Sequence, residues 1–215
     1  MSSIRRALKR GLDMGCLALV CPCAALCALE ARLSDRAEAM FTFWAQTFAL
    51  VPGLPGVFFR RAFYRLTLDR CARSFFIGFG ALFSHRHASV EEDVYVGPYA
   101  IIGSSWLHHG CLIGTRTSIV SGGELHTLDS NLRWTPADLG RLRRIDIGEY
   151  AWIGEGSLIV ADIGAFAMVA AGSVVSSAVP AGIVVAGNPA RFVRRLTVEA
   201  SEEEVQPVTA TALVR

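Results

Sequence analysis

Residues 147–175 read IGEYAWIGEGSLIVADIGAFAMVAAGSVV. An aliphatic residue opens each short unit at Ile147, Ile153, Ile163 and Val169. Gly follows three of the four, and a small residue stands four places after each: Ala151, Ser157, Ala167 and Ser173. Upstream, the same pattern runs back through Ile113 (IGTRTS), Leu107 (LHHGCL), Ile102 (IGSSW), Val96 (VGPYAI) and Val90. The small or medium partners there are Thr117, Cys111, Ala100 and Val94, with Trp106 out of pattern. A spacing of six fits neither the 3.6-residue helical turn nor the heptad, and Gly recurring through nearly every unit opposes helix. The pattern predicts a triangular solenoid in which each unit supplies one short parallel strand and one corner. The aliphatic residue fills the prism, the small one fits where walls meet, and Gly eases the corner. Stacked coils bury a core that no single repeat could make. Two slips interrupt the period: five residues from Ile102 to Leu107 and four from Ile159 to Ile163. Each requires a shortened corner or a local bulge.

The repeat halts at 122–144, GGELHTLDSNLRWTPADLGRLRR, and its units resume at Ile147. This polar, Arg-rich stretch leaves the coil as an excursion, where functional groups concentrate. The repeat region spans 81–195, and the polar end at 196–215 reads as a disordered tail.

The first 80 residues differ in kind. A basic start, IRRALKR at 4–10, precedes an apolar run from Met14 to Leu29 that contains Pro22. The run is somewhat short for a bilayer span, which needs about 20 residues, and it shares features with a secretory signal. A second apolar stretch, 41–58, holds Pro52, Gly53, Pro55 and Gly56, which break any straight helix there. Residues 58–76 then mix Arg60, Arg61, Arg65, Arg70 and Arg73 with aromatics. Apolar anchors beside Arg suggest an interfacial segment touching anionic headgroups. A helical cap packed on the solenoid, or a cleaved signal, are the alternatives.

Composition narrows the function classes. The 215 residues are 52% hydrophobic and 19% charged, with mean hydropathy +0.40, which excludes a disordered chain. A net charge of +2 lacks the basic field of a nucleic-acid coat. Of the six cysteines, Cys16, Cys21, Cys23 and Cys27 crowd one apolar run, while Cys71 and Cys111 stand alone. That spacing is neither a disulfide framework nor a zinc knuckle, so reduced thiols are expected.

VPAGIVVAGNPARFVRR at 179–195 and IGEYAWIG at 147–154 carry a resemblance to the hexapeptide-repeat acyltransferases. The group includes galactoside, maltose and serine acetyltransferases and enzymes of exopolysaccharide clusters, and the front third resembles the membrane-proximal part of polysaccharide-cluster members. The resemblance implies a left-handed parallel β-helix, an exception to the right-handed crossover rule. It also implies a homotrimer with active sites between prisms, and acetyl-CoA as acyl donor with no metal. The acceptor would be a sugar hydroxyl of a glycan or lipid-linked precursor, at the inner face of a membrane. By the same resemblance His126 is the general base, suited to the task by a pKa near neutrality. Trp152 lines the pantetheine channel, and an N–H near Gly154–Glu155 faces the oxyanion. Ala171 and Ser176 touch the coenzyme, and Arg191 and Arg194 meet its phosphates. Glu155 departs from the small residue usual there. Asp129 is a candidate to orient His126, and Arg116, Arg133 and Trp134 are candidates for sugar contact.

Two other classes stay open on the sequence. LHHGCLIG at 107–114 is similar to the metal-binding triplet of γ-class carbonic anhydrases, which share the prism. Zinc, however, needs three protein ligands. The position five before His109 is Ser104, His108 should face away from His109, and only His85 and His87 remain as further partners. A non-catalytic solenoid that binds membrane or partners needs neither the base nor the coenzyme residues.

Overall fold

The computed structural model describes residues 3–34, 37–121, 125–136 and 138–197; the expected tail beyond 197 and loop positions 122–124 and 137 lie outside them. Three helices lead: α1 (Ser3–Leu33), α2 (Ala39–Ala49) and α3 (Gly53–Thr67). The first runs on through Pro22. The break between the second and third falls at the Pro52–Gly53 step, where proline at the N-cap and the positive φ of Gly53 turn the chain.

The solenoid follows as three parallel walls, each built from one strand per coil. Wall A stacks β1 (Arg70–Cys71), β4 (Ser89–Val90), β7 (Ser105–Leu107) and β10 (Ile145–Ile147). Wall B stacks β2 (Phe76–Ile77), β5 (Tyr95–Val96), β8 (Leu112–Ile113), β11 (Trp152–Ile153), β13 (Met168–Val169) and β15 (Ile183–Ala186). Wall C stacks β3 (Leu82–Phe83), β6 (Ile101–Ile102), β9 (Ser118–Ile119), β12 (Leu158–Ile159) and β14 (Val174–Val175). The final strand, β16 (Arg191–Arg195), folds back antiparallel on β15. The first strand begins at Arg70, ahead of the boundary expected at 81. The repeat is hidden in that first coil because two large aromatics, Phe75 and Phe83, occupy positions that later coils give to small or aliphatic residues, such as Ala151 and Ile102.

The second residue of each regular two-residue strand points inward. Ile77, Val96, Ile113, Ile153 and Val169 form one fully buried column in wall B. The small residue two places earlier is also buried, as at Ala100, Ala151, Ala167 and Ser173. On this count Trp106 fits the pattern after all: fully buried Ser105 takes the small position before Leu107, and Trp106 is the outward residue of β7.

Inward residues are six apart across the A–B and B–C corners of the coils, as in Ile147, Ile153, Ile159 and again Ile163, Val169, Val175. The C–A corner alone varies. It takes seven residues from Phe83 to Val90, five from Ile102 to Leu107, and four from Ile159 to Ile163 and from Val175 to Val179. Both sequence slips lie on that edge, and the excursion leaves the same edge between Ile119 and Ile145.

The repeated Ile-Gly glycines serve a different purpose from the one their sequence suggests. A Cβ on Gly148, Gly154 or Gly164 would come within 2.4 Å of a backbone nitrogen in the next coil. They are glycine so that rungs can stack. The left-handed corner conformation falls two residues later, on Gly156 and Gly172 but also on Tyr99, Arg116, Tyr150 and Phe166.

The helices close the open end of the prism, as a solenoid requires of its terminal coils. Tyr64 of α3 is fully buried, meets Phe83 edge-on at 4.9 Å between ring centroids, and accepts the Phe83 N–H at 3.2 Å. Arg60 beside it is fully buried. Its guanidinium donates to the carbonyls of Phe48 (3.0 Å), Ala49 (3.3 Å) and Val51 (2.8 Å) at the end of α2, and to Ile77 (3.1 Å) of the first coil. A cation there satisfies carbonyls that a helix end leaves orphaned. Arg61 pairs with Asp13 of α1 and lies over the Phe58 ring. These two arginines, expected at headgroups, are therefore consumed inside the cap; Arg70 and Arg73 remain exposed. A second tie joins the α1–α2 connection to the first C–A corner. Glu38 accepts from His85 (2.7 Å) and from the Arg86 backbone N–H (2.9 Å), and Glu30 caps α2 through the Met40 N–H. The six cysteines are free thiols, Cys21 exposed and Cys27 and Cys111 buried.

Candidate active site

His126 stands on the excursion, exposed, within a small hairpin. Leu128 and Trp134 pair as an antiparallel bridge. The Thr135 N–H donates to the Thr127 carbonyl at 2.8 Å, and the two threonine hydroxyls lie 3.1 Å apart. The imidazole Nδ1 is 2.8 Å from the Thr135 carbonyl oxygen. A carbonyl only accepts, so Nδ1 carries the proton and Nε2 presents its lone pair outward. That is the tautomer a general base needs.

Asp129 does not orient this histidine. Its Oδ1 accepts the backbone N–H groups of Asn131 (2.8 Å) and Arg133 (2.9 Å), closing the hairpin tip. An Asp at a loop start satisfies its own backbone in this way, and the orienting partner is a main-chain carbonyl that no side-chain pattern announces. Trp134, 72% exposed, sits on the same hairpin. At the loop's return, Arg143 pairs with Asp162, and Arg144 lies 4.5 Å over the Trp106 ring.

The other expected residues gather elsewhere, along wall B and its edge with wall C. Trp152 faces outward from β11, half exposed, between Leu112 and Met168 on adjoining rungs. The same register runs on through Val184, which is buried, to Arg194 on β16. With rungs about 4.8 Å apart, Trp152 and Arg194 bracket an apolar strip that ends in a guanidinium. Arg191 is exposed on the same strand.

Gly154 and Glu155 turn the B–C corner. The Gly154 N–H is spent on the ladder, donating to the Val169 carbonyl at 2.7 Å, and the Gly154 carbonyl accepts from Thr117 Oγ1 at 3.1 Å. Gly154 is thus removed as an oxyanion donor. The Glu155 N–H, and on the next coil the Ala171 N–H, have no acceptor among the described residues. The exposed Ser176 lies beyond them, just after β14. The Glu155 carboxylate lies near enough to the Tyr95 phenol to raise it, after burial, above its ordinary range. Arg116, an exposed corner residue with φ of 58°, lies on this same edge one coil before Glu155, and so apart from the excursion where sugar contacts were expected.

The structure thus forms two groups. His126 and Trp134 belong to a loop rooted on the C–A edge, whereas Trp152 and the free amides lie on the wall opposite that edge and at its far corner.

The histidines that a metal reading would recruit are scattered and engaged. His85 binds Glu38, and His87 pairs with Asp69 at 3.4 Å. His108 stacks on Trp106 and lies 3.2 Å from Glu91, while His109 meets Tyr150 edge-on. Ser104 donates to the His87 carbonyl. Among the described residues no three His, Cys, Asp or Glu side chains come together as ligands. The Glu91 cluster is a contact that sequence reasoning missed. Its carboxylate accepts from Trp106 Nε1 (2.9 Å) and the His109 N–H (2.8 Å). Burial alone would raise this carboxyl, and these bonds together with His108 outweigh it and hold it below its usual range.

No family model and no curated protein matches the chain. Solved structures do. A maltose O-acetyltransferase from Clostridium difficile 630 is 18% identical, with TM-score 0.54 over 74% of this chain and 87% of that one. A hexapeptide-repeat acetyltransferase from Vibrio cholerae O1, solved with acetyl coenzyme A, is 23% identical, with TM-score 0.53 over 76% and 91%. A galactoside acetyltransferase in complex with coenzyme A is 18% identical, with TM-score 0.53 over 76% and 86%. At these identities the likeness shows the fold alone: the chain is a left-handed parallel β-helix, the fold of these acetyltransferases, fronted by an apolar helix.

Proposed function

We propose that this protein is an acetyl-CoA-dependent O-acetyltransferase acting on a sugar hydroxyl of a glycan or lipid-linked polysaccharide precursor, with His126 as general base. The observation that carries the reading is the Thr135 carbonyl on His126 Nδ1, which leaves the Nε2 lone pair, without a partner among the described residues, on the excursion of a fold whose solved neighbours include two described with coenzyme A or acetyl coenzyme A.

The residues divide the work as follows. Nε2 takes the acceptor hydroxyl proton as the oxygen attacks the thioester carbonyl. The unpaired Glu155 N–H is the donor for the developing oxyanion, in place of Gly154. On collapse the C–S bond breaks, and the imidazolium returns its proton to the leaving thiolate, so no acyl-enzyme is needed. Trp152 and the strip to Arg194 seat the pantetheine arm, Ala171 and Ser176 contact it, and Arg191 and Arg194 take phosphate oxygens in their planar forks. Trp134 and Arg133 face the acceptor from the loop. Because the base is rooted on one edge and the donor wall lies opposite, a complete site forms between neighbouring prisms of a homotrimer.

The test is thiol release from acetyl-CoA over a panel of sugars and lipid-linked glycans, with and without chelator. Turnover that survives chelation and is lost in His126→Ala supports the reading. Absence of coenzyme binding by calorimetry overturns it.

A further inference from the structure

We infer that α1 lies in the plane of a membrane interface, with one face against the cap and the opposite face in the acyl layer of an anionic bilayer. The helix holds a 23-residue stretch, Gly11–Leu33, long and apolar enough to cross a membrane, and only 22% of its most apolar window is buried in the fold. Its two sides are sharply divided. Val20, Ala24 and Cys27 pack inward. The outward positions carry Leu12, Met14, Leu19, Leu26 and Leu29, with Met14 and Leu19 each about two-thirds exposed (67% and 68%). From Gly11 to Leu29 no outward position holds a charged side chain. A soluble monomer rarely exposes so continuous an apolar face.

The bilayer is the occupant that the charge pattern fits. Arg5, Arg6, Lys9 and Arg10 occupy the first turns of α1, and Arg32 stands in its last turn. Cations at both ends of an apolar stripe match an anionic headgroup layer on either side of the inserted leucines. Phe43 of α2 and Leu54 of α3 are further apolar side chains left exposed on the cap.

In-plane attachment follows from where the helix is tied. Asp13, near the start of the apolar stretch, pairs with Arg61, and Glu30, near its end, caps α2 at the Met40 N–H (3.0 Å). These anchors are 17 residues apart in sequence, about 25 Å along a helix, and both bind the same cap. Crossing the bilayer would break one of them and leave a carboxylate in hydrocarbon. The inference is independent of acyl transfer, since vesicle binding requires neither coenzyme nor His126.

Flotation of the full chain with phosphatidylcholine vesicles, with and without phosphatidylglycerol, tests it. Wild type should float with the anionic vesicles. Leu19→Glu/Leu26→Glu should lower the bound fraction by about tenfold or more while leaving the thermal melt unchanged, because both side chains point away from the cap. A protease-cleavable N-terminal tag should stay open to added protease on sealed vesicles. A protected tag would mean a spanning helix and overturn the inference. So would a wild type that stays unbound while the double variant reduces the particle mass by light scattering, because a second copy would then be the occupant.

Discussion

At the scale of single residues, two side chains are governed by main-chain carbonyls. The carbonyl at Thr135 fixes the proton on His126 Nδ1, so the ring needs no carboxylate partner. On the proposed function, His126→Ala should reduce turnover by about 10²–10⁴-fold with little change in calorimetric affinity for coenzyme A, since the ring stands on the excursion and the proposed coenzyme contacts lie on wall B and its edge with wall C. Arg60 is the structural counterpart, a cation spent on four carbonyls. Gly56 makes room for it, because a Cβ there would meet the Val51 oxygen at 1.9 Å and Arg60 Nη1 at 2.8 Å. Arg60→Ala strips the end of α2 and the Ile77 carbonyl of their donor at once. Chemical denaturation should show a loss of about 3–5 kcal/mol, with the helical front detaching first in hydrogen exchange.

At the scale of elements, the rung spacing decides which glycines matter. Gly154→Ala drives a Cβ to 2.4 Å from the Ala171 nitrogen, against the main chain of Ala170 and Ala171 in the next coil, with nothing flexible to yield. Gly156→Ala meets open space and suffers only from its φ of 66°, a strain of about 1–2 kcal/mol. Thermal melts should therefore rank Gly154→Ala well below Gly156→Ala. Much of this layer was legible in the sequence. Periodicity six identified the walls, the small-residue positions and the excursion, because inward packing is repeated and so leaves a statistical trace. The first coil was not legible, since Phe75 and Phe83 take its small and aliphatic positions, Phe83 against Tyr64 of the cap, and so erase the repeat. His126 was legible as a loop histidine, but the group that orients its ring was not, since a carbonyl has no residue type. Arg60 and Arg61 read as headgroup ligands because composition does not reveal which side of a helix meets the core.

At the scale of the whole molecule, the cap and the solenoid are joined by a polar tie as well as by apolar packing. Burial would raise the Glu38 carboxyl, but hydrogen bonds from His85 and the Arg86 N–H, with the charges of both residues, outweigh it and hold it below its ordinary value. A carboxyl depressed in the folded state contributes stability that is complete above its unfolded pKa of about 4.3 and is lost as pH falls through the lower folded value. Glu38→Gln should lower stability at neutral pH and flatten the acid limb of the stability profile below about pH 4.3. The check is a denaturant midpoint measured across that range.

The variable C–A edge has a consequence for how such a molecule can change through descent. Walls A and B meet, and walls B and C meet, at corners of constant length, so an insertion at either would throw every later inward residue out of phase. The third edge already tolerates four, five or seven residues and one long detour. It behaves as a seam at which new loops can be spliced without rewriting the interior. The excursion that carries His126 can therefore change in length and sequence while wall B keeps its register.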